Sequence, residues 1–259
     1  MTFWNIYLNG FLLVMILMTI LWVLSVILKN VSIVDIFWGF GFVMLCWFYY
    51  FQTDGFILRK TILLTLVTIW GLRLSLYIGW RNWGKDEDYR YQEFRQKYGK
   101  KYWWFSFFQT FLFQGILMIL ISAPLLGAQI SSSRGSLNIF DFFAIAFWIV
   151  GFTFEAVGDI QMARFKSNPT NKGKVLNTGF WKYTRHPNYF GETAQWWGYG
   201  LFSVAAGNYI PVLGSILMTL LIIKVSGVAL LEKSLKDKKP KYRDYIEKTS
   251  AFIPWFPKK

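Results

Sequence analysis

The feature that most constrains this chain is a succession of apolar runs, each close to the ~20 residues a helix needs to cross the hydrocarbon of a bilayer. Seven are drawn here: Ile6–Leu28, Ile33–Phe51, Thr61–Trp80, Phe107–Ala128, Ile139–Gly158, Tyr189–Ala206 and Ile210–Leu231. Glu192, Thr193, Gln195 and several glycines dilute the sixth. With 54% of its 259 residues hydrophobic and only 16% charged, the chain carries more apolar surface than a soluble domain can cover, and that excess needs lipid to face. A membrane β-barrel would instead show short segments of alternating polarity. The expected fold is an all-α membrane protein, a seven-transmembrane-helix bundle forming one domain over 1–259. No basic stretch and no small-residue cleavage site accompany the first run, so it reads as a retained helix and not a removed signal peptide.

Lysines and arginines then orient the bundle. One group comprises Arg81, Lys85, Arg90, Arg95, Lys97, Lys100 and Lys101, and a second Arg164, Lys166, Lys172, Lys174, Lys182 and Arg185. The tail from Glu232 adds nine more, whereas the opposite side has only Arg59, Lys60 and Arg134. Because cytoplasmic loops are the basic ones, the N-terminus is expected outside and the C-terminus in the cytoplasm. Most of the +14 net charge then faces the cytoplasm, where it suits anionic membrane lipids or a phosphorylated ligand. No nucleic-acid module is present, and no obligate protein partner is implied. A single cysteine, Cys46, and a single histidine, His186, exclude an intrachain disulfide and multi-histidine or multi-cysteine metal sites, so no metal is expected.

An ionisable side chain at membrane depth usually faces the bundle interior or a wet cavity. Asp35, Arg73, Glu155, Glu192 and Lys224 lie within the runs, with Asp159 and Arg81 at run ends. Under the orientation above, all fall in the cytoplasmic half, which points to a cavity open to that side. Glu155 and Asp159 are four apart, with Lys166 seven further on, and Glu192, Trp196 and Tyr199 share another helical face.

The stretch from Thr178 to Glu192 is the most informative. Pro187 makes His186 extended, which suits the start of a helix. Arg185 offers a planar fork of donors to a phosphate, Asn188 can give and accept hydrogen bonds, and Trp181, Tyr183 and Tyr189 can stack on a base. The alternative is an interfacial aromatic belt with a basic anchor.

The run Thr184-Arg185-His186-Pro187-Asn188-Tyr189-Phe190-Gly191-Glu192, followed by Trp196-Trp197-Gly198-Tyr199, resembles the signature of bacterial integral-membrane proteins related to steroid 5-alpha-reductase, of the DUF1295 type. Val34-Asp35-Ile36-Phe37-Trp38-Gly39, Trp70-Gly71-Leu72-Arg73-Leu74 and Glu87-Asp88-Tyr89-Arg90-Tyr91 extend the likeness, as does Ser250-Ala251-Phe252-Ile253-Pro254-Trp255. The resemblance implies that helices one to four (1–128) face the substrate. Helices five to seven with their loops (129–259) would hold NADPH for reduction of a carbon–carbon double bond conjugated to a ketone. It carries cofactor contacts onto Arg73, Arg81, Glu155, Asp159, Arg164, Lys166, Lys174, Tyr183, Arg185, His186, Asn188, Glu192, Trp196, Lys224 and Glu232. Lys166 stands where the steroid enzymes have an arginine, and Glu155 where they have an asparagine. The steroid enzymes set a Gln-Glu pair and a tyrosine against the ketone. Asp35 falls at that pair and Trp70 at the tyrosine, with Tyr77 on the same helical face as a replacement. Asp35 would act as a hydrogen-bond donor if burial kept it protonated.

These departures make a polyprenyl, quinone-like or fatty enone as acceptable as a steroid, in each case a lipophilic small molecule reached from a bacterial inner membrane. A rival class is the S-adenosylmethionine-dependent methyltransferase of the isoprenylcysteine carboxyl type, which shares Arg-His-Pro near a Tyr and a Gly. A transporter fits less well, because no internal repeat is visible and the ionisable residues gather at one side and not at the midplane.

Overall fold

A computed structural model describes residues 2–131, 135–226 and 242–258, and among these it is helical without strands. The described helices are α1 (Phe3–Leu28), α2 (Ile33–Gln52), α3 (Ile57–Asn82), α4 (Tyr89–Tyr98), α5 (Tyr102–Ser106), α6 (Phe113–Ile130), α7 (Ile139–Ser167), α8 (Pro187–Ala205), α9 (Leu213–Leu220) and α10 (Tyr242–Lys248). A single turn at Gly99–Lys101 and a wide π turn at Phe107–Leu112 join α4, α5 and α6 into one helical stretch, Tyr89–Ile130. That stretch and α1, α2, α3 and α7 are the five helices long and apolar enough to cross a membrane. The chain is thus a multi-pass membrane protein by helix length and hydropathy. The sixth expected run is helical and the seventh is helical over Ile210–Val225 of its described part, but α8 is too polar and Ile210–Val225 too short to join those five.

The chain divides into two compact units. The first comprises Met1–Leu137 with Phe202–Gly214, and the second Asn138–Leu201 with Ser215–Lys259. In the first unit α1 shows why lipid is required. Ile6, Gly10, Val14, Met18, Leu21 and Ser25 form its buried stripe, while Leu8, Leu12, Ile16, Ile20 and Ile27 stay exposed on another face. In a membrane that second face meets acyl chains. Helices α2 and α3 approach backbone to backbone at Gly39 and Gly71, where a Cβ on Gly39 would lie 2.5 Å from the Gly71 carbonyl oxygen.

Arg59 and Lys60, read from sequence as loop cations, instead occupy the first turn of α3 and are buried. Arg59 donates through Nη2 to the Ser136 carbonyl at 3.2 Å and lies over the Phe56 ring. Lys60 donates to the Thr53 carbonyl and sits 4.7 Å from the Tyr50 ring centroid. Carbonyl oxygens and ring faces make that burial tolerable.

In the second unit α7 starts from a capping box, with Asn138 accepting from Phe140 N at 3.0 Å and Asp141 accepting from Asn138 N at 2.8 Å. It then runs on to Ser167, beyond the Gly158 end expected from hydropathy, because its last turns are polar. Gly151 and Gly191 let α7 and α8 touch, since a Cβ on Gly191 would meet the Gly151 carbonyl oxygen at 2.4 Å. Ser215 Oγ, donating to the Trp196 carbonyl at 2.6 Å, and Trp197 Nε1, donating to Thr219 Oγ1 at 3.2 Å, tie the following helical segment to α8.

Candidate functional site

Each unit carries its own polar cluster. In the first, α4 is a polar helix fastened to the α1–α2 turn by carboxylates. Glu87 accepts Val31 N at 2.7 Å and takes Arg95 through both oxygens, at 2.9 and 2.8 Å. Asp88 caps α4 and accepts from Arg90 through the backbone N at 3.0 Å and Nε at 2.8 Å. Burial pushes the Asp88 carboxyl up, but the hydrogen bonds and charge of Arg90, with help from Arg81, outweigh it and hold the group below the usual carboxylate range.

That fastening delivers the next residues of α4 to Asp35. Arg90 Nη2 donates to Asp35 Oδ2 at 2.7 Å, and the Tyr91 hydroxyl donates to Asp35 Oδ1 at 2.8 Å. Gln114 of α6 donates to the Tyr91 hydroxyl at 3.4 Å. Both Asp35 oxygens therefore accept, one from the arginine and one from the hydroxyl.

The other residues expected to act on the substrate, Trp70 and Tyr77, both lie on α3. Trp70 is wholly buried, its ring 6.0 Å from that of Phe42 near the Gly39–Gly71 contact, so it packs α2 against α3. Tyr77 lies with Arg73 on one side and Arg81 on the other, guanidinium carbons 5.2 and 5.8 Å from its ring centroid. The three stand at successive i, i+4 positions of α3, so cation–π contacts bring together residues that sequence had assigned to different roles.

In the second unit a polar seam runs between α7 and α8. Gln195 Nε2 donates to Glu155 Oε2 at 2.6 Å, and Asn188 Nδ2 to Asp159 Oδ1 at 3.4 Å. Glu155 and Gln195 are buried, and the Gln195 Oε1 acceptor has no donor among the described residues. Glu155 thus serves its neighbouring amide, which explains how a carboxylate is accommodated there. His186 is buried with its ring stacked on Tyr189 at 5.7 Å, and Trp196 is buried edge-on to Tyr199 at 5.3 Å. Glu192 is half-buried, while Arg164, Lys166 and Lys224 are exposed. Glu232 lies outside the described residues.

Arg185 departs most from expectation. It is buried, and Nη1 donates to the carbonyls of Ile246 at 2.9 Å and Thr249 at 2.6 Å, while its backbone N donates to Ser250 O at 2.9 Å. Thr184 Oγ1 donates to Phe252 O at 2.8 Å, Trp255 N to Tyr183 O at 2.9 Å, and the Tyr245 hydroxyl to Trp181 O. Burial pushes the Tyr245 hydroxyl above its ordinary range. The fork read from sequence as a phosphate ligand therefore clamps the C-terminal segment onto the motif. Helix α10 ends there, and Arg185 supplies a donor to the Ile246 and Thr249 carbonyls at that end.

Sequence reasoning passed over Tyr91 and Gln114, although Tyr91 lies inside one of the stretches of resemblance. The signal was the polar run Glu87–Arg95 beside an apolar one, which marks an interfacial helix as well as a loop.

An uncharacterized protein of Schizosaccharomyces pombe is 28% identical over 277 aligned positions, covering 96% of this chain and 80% of the yeast protein. No solved structure matches. Residues 21–249 match the family described as "Protein of unknown function (DUF1295)", and the chain belongs to that family.

Proposed function

We propose that this protein is a membrane reductase that uses NADPH to saturate a carbon–carbon double bond conjugated to a ketone in a lipophilic substrate. In this reading α8 and the segment from Ile210 complete seven spans, with the N-terminus outside and the C-terminus in the cytoplasm. The observation that carries it is the pair made by Asp35 and Tyr91. The resemblance implies a carboxylate and a tyrosine at the ketone, and α4 supplies the tyrosine that neither Trp70 nor Tyr77 provides.

The chemistry of that pair suits the reaction. When a hydride adds to the β-carbon of an enone, the double-bond electrons move toward the carbonyl oxygen, where negative charge develops. A hydroxyl held ready to donate to that oxygen stabilises the transition state more than the ground state. The single hydroxyl proton of Tyr91 goes to Asp35, which Arg90 holds, so in the reaction Tyr91 would turn that proton from Asp35 to the substrate oxygen. Proton delivery to the α-carbon completes the reduction. Methyl transfer to a carboxylate removes negative charge from oxygen, so a poised donor would not help it.

The residues of the second unit fit the cofactor. A carboxamide presents two donors, and Gln195 Oε1 is a buried acceptor lacking one among the described residues. Asn188, Asp159 and Tyr183 would hold the nicotinamide and ribose, with Arg164 and Lys166 offering charge to the phosphates. NADPH, when bound, supplies the hydride. The purified protein should show a higher melting temperature with NADPH and oxidise it only when a lipophilic enone is added. A shift with S-adenosylmethionine alone would move the protein to the methyltransferase class, and solute accumulation by proteoliposomes without cofactor binding would make it a transporter.

A further inference from the structure

Beyond α10 the C-terminal segment leaves large apolar side chains in the open. Ile253 is 65% exposed, Trp255 70% and Phe256 76%. In a frayed chain end that exposure would mean little, but here the backbone carrying them is fixed. Thr184 Oγ1 donates to Phe252 O at 2.8 Å, Trp255 N to Tyr183 O at 2.9 Å, and Lys258 N to Lys248 O at 2.8 Å. The Phe252 ring meets that of Phe190 at 6.1 Å, which packs one side of the segment on α8. A fixed segment with neighbouring apolar side chains outward needs a partner to cover them.

Helix α7 shows at what depth they stand. Its apolar run Ile139–Gly158 is about 30 Å long, the thickness of the hydrocarbon core, and the polar Asp159, Gln161 and Arg164 follow it. Trp181 Nε1 donates to Gly158 O at 3.0 Å, and Phe180 N to Gln161 Oε1 at 3.0 Å. The stretch that receives the C-terminal segment is therefore fastened where α7 leaves the apolar layer. Ile253, Trp255 and Phe256 follow the hydrogen bonds to Tyr183 and Thr184 and stand at that level. A membrane interface favours tryptophan and other apolar residues with lysines beside them.

The lysines are beside them. Lys182 Nζ lies 6.0 Å from the centroid of the Tyr183 ring, and that ring lies 6.1 Å from Phe256 in an edge-to-face contact. Pro257 lines a cavity together with Lys174, Lys182 and Lys248, with Asp244 as the carboxylate of the lining. Apolar rings and cations thus form one continuous surface. A water-soluble anion would balance the cations and leave the rings uncovered, and a zwitterionic lipid would cover the rings and leave the cations unbalanced. An anionic lipid does both.

We propose that Ile253, Trp255 and Phe256 dip into the head-group boundary of the bilayer that α7 crosses, and that Lys174, Lys182, Lys248 and Lys258 hold anionic phospholipid there. The lipid then becomes part of the clamp, because the segment it covers carries the Thr249, Ser250 and Phe252 carbonyls that meet Arg185 and Thr184. This surface is independent of the reaction that the protein performs.

The test attaches a nitroxide spin label to Phe256→Cys and, separately, to Ile253→Cys in full-length chains that also carry Cys46→Ala. A label at Lys172→Cys, an exposed loop position, is the reference. Each chain is placed in nanodiscs of phosphatidylcholine alone or mixed with phosphatidylglycerol. Collisions are measured with oxygen, which concentrates among acyl chains, and with a neutral nickel chelate that stays in water. Labels at 253 and 256 should favour oxygen and the reference should favour nickel. Phosphatidylglycerol should raise the oxygen-to-nickel ratio at 253 and 256 about fivefold, the contribution of one lysine at an anionic surface. Lys174→Gln, Lys182→Gln and Lys248→Gln together should abolish that rise. Labels at 253 and 256 that favour nickel as the reference does overturn the insertion. Labels shielded from both agents overturn it too, because a second copy or another protein surface then covers the face. A ratio indifferent to phosphatidylglycerol, or a rise that survives the glutamine variant, overturns the lysine site.

Discussion

Two arginines, half-buried Arg90 and buried Arg185, do different work. Arg90 meets carboxylates, Asp35 and Asp88, and holds a tyrosine hydroxyl in register beside one of them. Arg185 meets the carbonyls that close α10 and holds a chain segment in place. Charge against charge fixes the position of a few reactive atoms, whereas charge against backbone fixes the path of a whole segment. An arginine in a motif therefore does not announce a ligand until its partners are known.

That contrast can be broken most directly at Arg185. Arg185→Ala leaves buried carbonyls without their charged donor and should lower stability by about 3 kcal/mol, with residues 242–258 becoming open to protease. Unchanged melting and an uncut tail would remove the clamp. Tyr91→Phe should instead leave the fold within about 1 kcal/mol of the natural chain but reduce turnover about 100-fold, as loss of an oxyanion donor does elsewhere. Steady-state rates beside a melting curve separate the two, and equal turnover in the phenylalanine variant would dismiss the Asp35–Tyr91 pair from the chemistry.

A packing control ranks next. Gly191→Ala forces a methyl against the Gly151 carbonyl and the Glu155 backbone and should cost about 2 kcal/mol. Detergent-resistant melting would report it, and a neutral result would mean that α7 and α8 can separate at that point. The smallest effect concerns Asp88. Its folded acidity constant lies below the unfolded one, so its contribution is complete above about pH 4, the ordinary carboxylate value, and fades as pH falls through the lower folded value. Asp88→Asn keeps an N-cap and should flatten the acid side of the stability profile by up to about 1 kcal/mol. An unaltered acid slope would show that Asp88 does not contribute to it.

Much of this architecture was legible from hydropathy. The first five apolar runs correspond to long helices because a run of that length has few other ways to satisfy its backbone in lipid. Residues whose role depends on a distant partner were not legible. Trp70 looked like a stand-in for a tyrosine, but its surroundings are the Phe42 ring and a glycine contact two helices wide. Arg59 and Lys60 looked like loop cations, since a hydropathy window counts charge and cannot see a carbonyl or a ring face. Tyr91 was overlooked because its significance comes from Asp35, 56 residues earlier.

The sequence by itself determined membrane residence, helical character and family, since apolar length and a contiguous motif are local properties. Tertiary structure alone decided which acid meets which donor, that Arg185 closes a helix, and that Lys248 joins Lys174 and Lys182 around one cavity. Hydrogen bonds and charge pairs act over a few ångströms, and residues far apart along the chain come within that reach only after the helices have packed.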